Sequence, residues 1–139
     1  MAKPAADVLS TVDLFQGLTK RELQRVMAMA KDQTFPEGDV VVVEGDEDGR
    51  FYLLLDGSAR ILQGKRTLAT LGPGDYFGEI SLIDGEPRSA SVVATSDIRA
   101  LSIARWNFRP LLEEHPAIAR KLLLEMCRRV RELDRSPDH

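Results

Sequence analysis

Between Gly78 and Ala90 the sequence Gly-Glu-Ile-Ser-Leu-Ile-Asp-Gly-Glu-Pro-Arg-Ser-Ala gathers the residue types that hold a small phosphate ester. Gly78 has no Cβ, so backbone there can approach a ligand closely. A short helix opening at Glu79 would present unpaired N–H groups, which together with the helix dipole attract an anion. Arg88 can donate two parallel hydrogen bonds to phosphate oxygens, a geometry that Lys lacks. Ser89 adds a hydroxyl donor. Glu79 is the odd member, because a carboxylate repels phosphate; it makes sense as an acceptor for hydroxyl groups close by, as on a ribose. The competing uses are an ion pair of Arg88 with Glu79 or Asp84, and a first-turn role for Glu79 at the helix start.

Other chemistries find little material. Two histidines, His115 and His139, supply neither a metal cluster nor a His-dependent triad, and none falls in an expected strand, as a cupin-type metalloenzyme would need. No catalytic residue and no metal site is expected. Glu44, Asp46, Glu47 and Asp48 read as a solvated hairpin, because their spacing is not that of an EF-hand loop. Gly72-x-Gly74-x-x-x-Gly78 has the wrong spacing for a dinucleotide fingerprint, with no long helix after it. His115, beside Pro116 at a helix break, reads as a surface residue near a helix dipole. Cys127 is the sole cysteine, which excludes an internal disulfide and suits a reducing compartment. It reads as a small buried or half-buried residue.

The elements that must position Gly78–Ala90 follow from periodicity. Thr19-x-x-Glu22 is a capping box, and Leu23, Val26, Met27 and Ala30 lie on one helix face, predicting a helix to about Lys31. Short helical fragments anchored by Leu14, Phe15 and Leu18 precede it. Short β-type runs then follow: Val40–Val43, Phe51–Leu55, Ala59–Gln63, Thr67–Leu71, Ser89–Thr95 and Ile98–Ala104, with Gly, Pro and Asp turns between them. Asp56-Gly57 reads as a hairpin turn. This rhythm predicts an antiparallel jelly roll, interrupted over residues 72–88 by an insertion too long for a tight turn; such insertions usually carry function. Past Ala104, Trp106, Phe108, Leu111 and Leu112 form an amphipathic segment that stops near His115-Pro116. A second helix runs to about Arg135. Along it Ala119, Leu123, Met126, Val130 and Leu133 alternate spacings of four and three, read as the face that packs on the roll.

At the insertion a resemblance becomes specific. Phe77-Gly78-Glu79-Ile80-Ser81-Leu82-Ile83, then four residues to Arg88-Ser89-Ala90, resembles the phosphate-binding cassette of cyclic nucleotide-binding domains. That family includes catabolite-activator-type bacterial regulators, protein kinase A regulatory subunits and nucleotide-gated channels. Leu14-Phe15-x-Gly17-Leu18, Phe35-Pro36-x-Gly38-Asp39, Glu44-Gly45-Asp46, Leu55-x-Gly57 and Gly74-Asp75 also fit its scaffold, so the likeness covers roughly residues 12–135.

The resemblance implies a mainly β fold with flanking helices, an antiparallel β-roll or jelly-roll barrel forming one domain over residues 1–139. N-terminal helices would occupy about 1–32, the roll 33–104 with its cassette at 77–90, and C-terminal helices 105–135. It implies that Glu79 accepts from the ribose 2′-hydroxyl and Arg88 pairs with the cyclic phosphate. Ser81 and Ser89 supply further donors, Gly78 and Ile80 belong to the same ligand-binding stretch, and Ala90 leaves room for the ring. Leu71 and Val92 would line the base pocket. The helix from Ala117 to Arg135 would serve as lid or hinge, with Arg129 and Asp134 as base contacts. The ligand implied is cAMP, with cGMP the alternative, because in the family a Thr at the position of Ser89 tends to accompany cGMP; no cofactor is implied. The expected function is a non-enzymatic sensor acting on a protein effector. The alternative is a ligand-independent interaction module on the same scaffold. The sequence shows neither a helix-turn-helix nor tandem nucleotide domains, so a stand-alone module without direct DNA binding is expected.

Composition agrees with these bounds. The 139 residues are 43% hydrophobic and 29% charged, an ordinary globule of one domain. Nineteen basic against 22 acidic residues give a net charge of −3, which argues against a general nucleic-acid binder. No apolar run approaches the roughly 20 residues that span a bilayer, and Met1-Ala2-Lys3-Pro4 opens no secretory segment. A cytoplasmic protein without membrane contact is expected, monomeric or dimeric through its C-terminal helix. Arg120, Arg128, Arg129, Arg131 and Arg135 read as a solvated face.

Overall fold

The structure, a computed structural model, describes residue 9 and residues 12–45, 50–78 and 90–134; of residues 13, 129 and 132–134 the backbone alone is described. A turn of 3-10 helix (Asp13–Phe15) leads to α1 (Lys20–Met29). The capping box forms as read: Thr19 Oγ1 accepts from the Glu22 N–H at 3.1 Å, and a Glu22 carboxylate oxygen accepts from the Thr19 N–H at 2.9 Å. The helix stops short of Lys31, because Lys31–Phe35 is a strand, β1. Its sequence, Lys-Asp-Gln-Thr-Phe, carries no apolar alternation. As a sheet edge it is held by backbone pairing and by Arg99, which donates to both Asp32 carboxylate oxygens at 3.1 and 2.6 Å.

The further strands are β2 (Val40–Val42), β3 (Arg50–Asp56), β4 (Ala59–Gln63), β5 (Arg66–Leu71), β6 (Tyr76–Phe77), β7 (Ser91–Ala94) and β8 (Ile98–Ala104). They form two four-stranded antiparallel sheets, ordered β1-β8-β3-β6 and β2-β7-β4-β5. Among the described residues no ladder joins one sheet to the other, so the jelly roll is an open roll and not a closed barrel.

β3 and β8 show why their sequences read as nearly continuous apolar runs. Phe51, Leu53 and Leu55, with Leu101 and Ile103, face a helical layer that includes Val26, Phe108, Leu111, Ile118 and Leu122. Tyr52 and Leu54, with Ile98 and Ala100, face the second sheet, meeting Val42, Ala59, Leu71, Val92 and Ala94. The central strands β3 and β8 are thus buried on both faces and lose the usual polar alternation. Phe51 stacks on Phe108 at 4.8 Å, fixing the helical layer to the sheet.

Three expectations are corrected here. Asp56-Gly57 is no hairpin turn: β3 and β4 belong to different sheets, and the pair carries the chain across. The hairpin lies at Gly64-Lys65, between the paired residues Gln63 and Arg66. After α2 (Arg105–Glu114), α3 (Pro116–Asp134) packs through Ile118 and Leu122, whereas Leu123 and Val130 of the four-and-three stripe are exposed. Leu122 is 2% exposed and its neighbour Leu123 62%, so the packed line runs one residue away from the stripe. The reason is docking: Ile118 and Leu122 are one turn apart and both reach the helical core, which the spacing alone cannot reveal. Cys127 is exposed too, as is Trp106.

Candidate functional site

The entrance to the segment after β6 is built by bonds from main-chain N–H groups. In the turn before β6 the Gly72 N–H donates to the Asp75 carboxylate at 2.8 Å. The Gly74 N–H donates to Leu54 O and the Leu54 N–H to Asp75 O, each at 2.8 Å, which ties the turn to β3. Phe77 then pairs with Tyr52 and stacks on its ring at 5.1 Å. Gly78 follows with φ +93°, a left-handed conformation that favours glycine. The exit lies in the other sheet. Ala90 is half-buried and leads into β7, which is flanked by β2 and β4. The segment that starts at Gly78 and ends at Ala90 therefore spans from the edge of one sheet to the middle of the other.

Of the expected site residues, Gly78 and Ala90 stand at the two ends, Val92 lies in β7 two residues after Ala90, and Leu71 ends β5. Leu71 and Val92 are buried in the core between the sheets. Glu79, Ile80, Ser81, Arg88 and Ser89 lie outside the described residues. Arg129 and Asp134 fall within α3, described by backbone alone.

The register adds residues that sequence reading missed. Val92 is opposite Val42 on one side and Ile61 on the other, so the three form an apolar row across the second sheet. Tyr52 and Phe77 contribute to the same core from the facing sheet. The Val40–Val43 run hides which valine turns inward; only the pairing with β7 decides it. This row packs into the core between the sheets, where Val42 and Val92 are buried.

On the other face of the first sheet, α3 is fastened at its start. His115, the residue between α2 and α3, has Nδ1 2.9 Å from a Glu22 carboxylate oxygen. Arg25 pairs with Glu114 at 3.0 Å, and the Lys121 ammonium donates to Gln16 O at 2.7 Å. The Glu22 carboxyl is held below its ordinary pKa, chiefly by the Thr19 backbone N–H, with His115 and Arg25 adding to the effect. His115 is thus a clasp between helices, not the bare surface residue expected. A cleft of about 240 Å³ lies further along α3, lined by Val12, Leu14, Asp75, Tyr76, Lys121 and Arg128 among others. It separates α3 from the turn that feeds β6. Among the described residues no three His, Cys, Asp or Glu side chains converge as a metal site, and no helix is long and apolar enough to cross a membrane.

A roll of two antiparallel sheets, flanked by helices and bridged by a glycine-initiated segment, defines a recognisable class. Residues 32–115 match the model of the cyclic nucleotide-binding domain, and the chain belongs to that family. It is 36% identical over 126 residues to a cyclic AMP receptor protein of Thermus thermophilus, covering 87% of this chain and 58% of that protein. It is also 36% identical over 104 residues to a cAMP-dependent protein kinase regulatory subunit of Hypocrea atroviridis, covering 75% of this chain and 22% of that one. Among solved structures it resembles Sp-2Cl-cAMPS bound to PKAR CBD2, with a TM-score of 0.80 and 27% identity over 94% of this chain and 89% of that chain. The chain therefore spans less than two thirds of the length of these two curated relatives.

Proposed function

We propose that this chain is a non-enzymatic regulatory module, one cytoplasmic domain that binds a 3′,5′-cyclic nucleotide and passes binding to a protein partner through α3. The observation that carries the reading is the pair of ends: Gly78 follows β6 of one sheet, and Ala90 precedes β7 of the other, where Val92 lies between Val42 and Ile61. Between them the chain supplies Glu79 and Arg88. Arg88 pairs with the cyclic phosphate, which Ser81 and Ser89 help to bind, and Glu79 accepts from the ribose 2′-hydroxyl. Leu71 and Val92 face the base. No cofactor takes part.

Two features support the finer points. Ser89 stands where a Thr in this family tends to accompany cGMP, so cAMP is the preferred ligand. α3 lines a cleft with Asp75 and Tyr76, immediately ahead of Gly78, so a shift of the ligand segment has a short route to the helix. Signalling requires that the two positions of α3 differ in ligand affinity.

Calorimetric titration with cAMP and cGMP tests the reading. The wild-type chain binds cAMP more tightly, and Arg88→Ala weakens binding by about 2–5 kcal/mol, roughly 30-fold or more, because the phosphate loses its charge partner. Equal affinity in that variant refutes the role of Arg88. Binding of neither nucleotide favours a ligand-independent interaction module.

A further inference from the structure

The exit of the ligand segment is tied down by a residue from another part of the sequence. Ser91 follows Ala90 directly, and its hydroxyl oxygen accepts from the Glu44 N–H at 2.8 Å. The Glu44 carboxylate in turn accepts from the Gly64 N–H at 3.0 Å, in the turn joining β4 and β5. Three stretches of chain meet on this one residue: the end of β2, the β4–β5 turn and the start of β7. Ladder pairing does not supply this link. The β2–β7 register runs only from Val40↔Val93 to Val42↔Val92, with an irregularity between, and stops before Glu44.

We propose that Glu44 is a positioning residue for the ligand segment, holding the first residue of β7, and through it Ala90, against the second sheet. Its carboxylate fixes the loop to the β4–β5 turn, and its N–H then fixes Ser91. Of Glu44, Asp46, Glu47 and Asp48, Glu44 thus bonds to two other segments; the other three lie outside the described residues. The effect on ligand affinity rests on the function proposed above; the effect on the start of β7 does not.

Two readouts on the full chain separate them: cAMP affinity by calorimetry, and amide hydrogen exchange resolved along the sequence. Glu44→Ala should bind cAMP about two- to tenfold more weakly, the range one hydrogen bond supports. Exchange should quicken at Gly64 and residues 90–94 while β3 and β8 keep their protection. Glu44→Gln, which retains an acceptor of the same length, should return both readouts toward wild type. Ser91→Ala should reproduce the loss, and the double variant Glu44→Ala/Ser91→Ala should be no worse than the poorer single one, as two links of one tether require. Wild-type affinity and exchange in Glu44→Ala overturn the proposal, as does quickened exchange spread evenly over β3 and β8. If the wild-type chain binds no cyclic nucleotide, the function proposed above fails; local exchange still decides the role of Glu44.

Discussion

Replacing Gly57 by Ala probes the point where the chain passes from one sheet to the other. Gly57 has φ +88°, a left-handed conformation that costs an L-residue about 1–2 kcal/mol. A Cβ there would also lie 2.4 Å from the Asp97 carbonyl oxygen, 2.8 Å from Ile98 Cγ2 and 3.0 Å from Ile98 Cα. Those atoms lead into β8 and cannot swing aside as a surface side chain would, so the crowding adds about 1–3 kcal/mol. The total is about 2–5 kcal/mol, from which the stiffer unfolded chain returns about 0.4–1 kcal/mol. Gly38 is the internal control. Its φ is +90°, but nothing lies within 4 Å of the corresponding Cβ, so Gly38→Ala carries the backbone cost alone. Urea denaturation of both variants, compared at unchanged m-value, should place Gly57→Ala about 1–3 kcal/mol below Gly38→Ala. Equal losses would refute the close approach of Gly57 to β8, and with it the account of how the sheets are linked.

Ser102 is buried, donates to the Gln33 side-chain oxygen at 2.7 Å and accepts from Arg50 at 3.2 Å; Ser102→Ala should therefore cost about 1–3 kcal/mol in chemical denaturation, and a change near zero counts against that network. Leu122→Ala should cost about 2–5 kcal/mol and Leu123→Ala no more than about 0.5 kcal/mol, an order that reverses if the four-and-three stripe is the packed face. The depressed pKa of Glu22 stabilises the fold above the ordinary glutamate value of 4.5 and ceases to do so as pH falls through the lower folded value. The melting-temperature gap between wild type and Glu22→Gln should shrink as pH falls below the ordinary glutamate value; a gap unchanged down to about pH 3 contradicts the assignment.

How much was legible beforehand depended on where the information resides. Thr19 and Glu22 announce α1 because both partners of the cap lie within one turn. Ala59–Gln63 and Ile98–Ala104 were bounded correctly because turn residues flank them closely. β1 was missed because Lys-Asp-Gln-Thr-Phe owes its extended form to β8, far along the chain, and not to its own pattern. β6 has two residues, too few for any period. At the site, the types of Gly78, Glu79, Arg88 and Ser89 were readable from local chemistry. Val42 and Ile61 were not, because their place beside Val92 is a matter of register, which only the assembled sheet fixes. Glu44 sat in an acidic run that looked purely solvated, while its partners Gly64 and Ser91 are distant in sequence.

The central place of β8 has a consequence for how the chain is made. Lys31 pairs with Ser102, some 70 positions downstream, and Phe51 with Ile103. At about 5–20 residues per second, a ribosome needs roughly 4–14 s between delivering the first of these segments and the last. For roughly 3–10 s of that interval, the time to make the residues from Phe51 to Ile103, Phe51–Leu55 stands without its principal neighbour, apolar on both sides and able to pair with another nascent chain. A transcript truncated before Ile98 should accordingly yield aggregates and not a smaller folded unit.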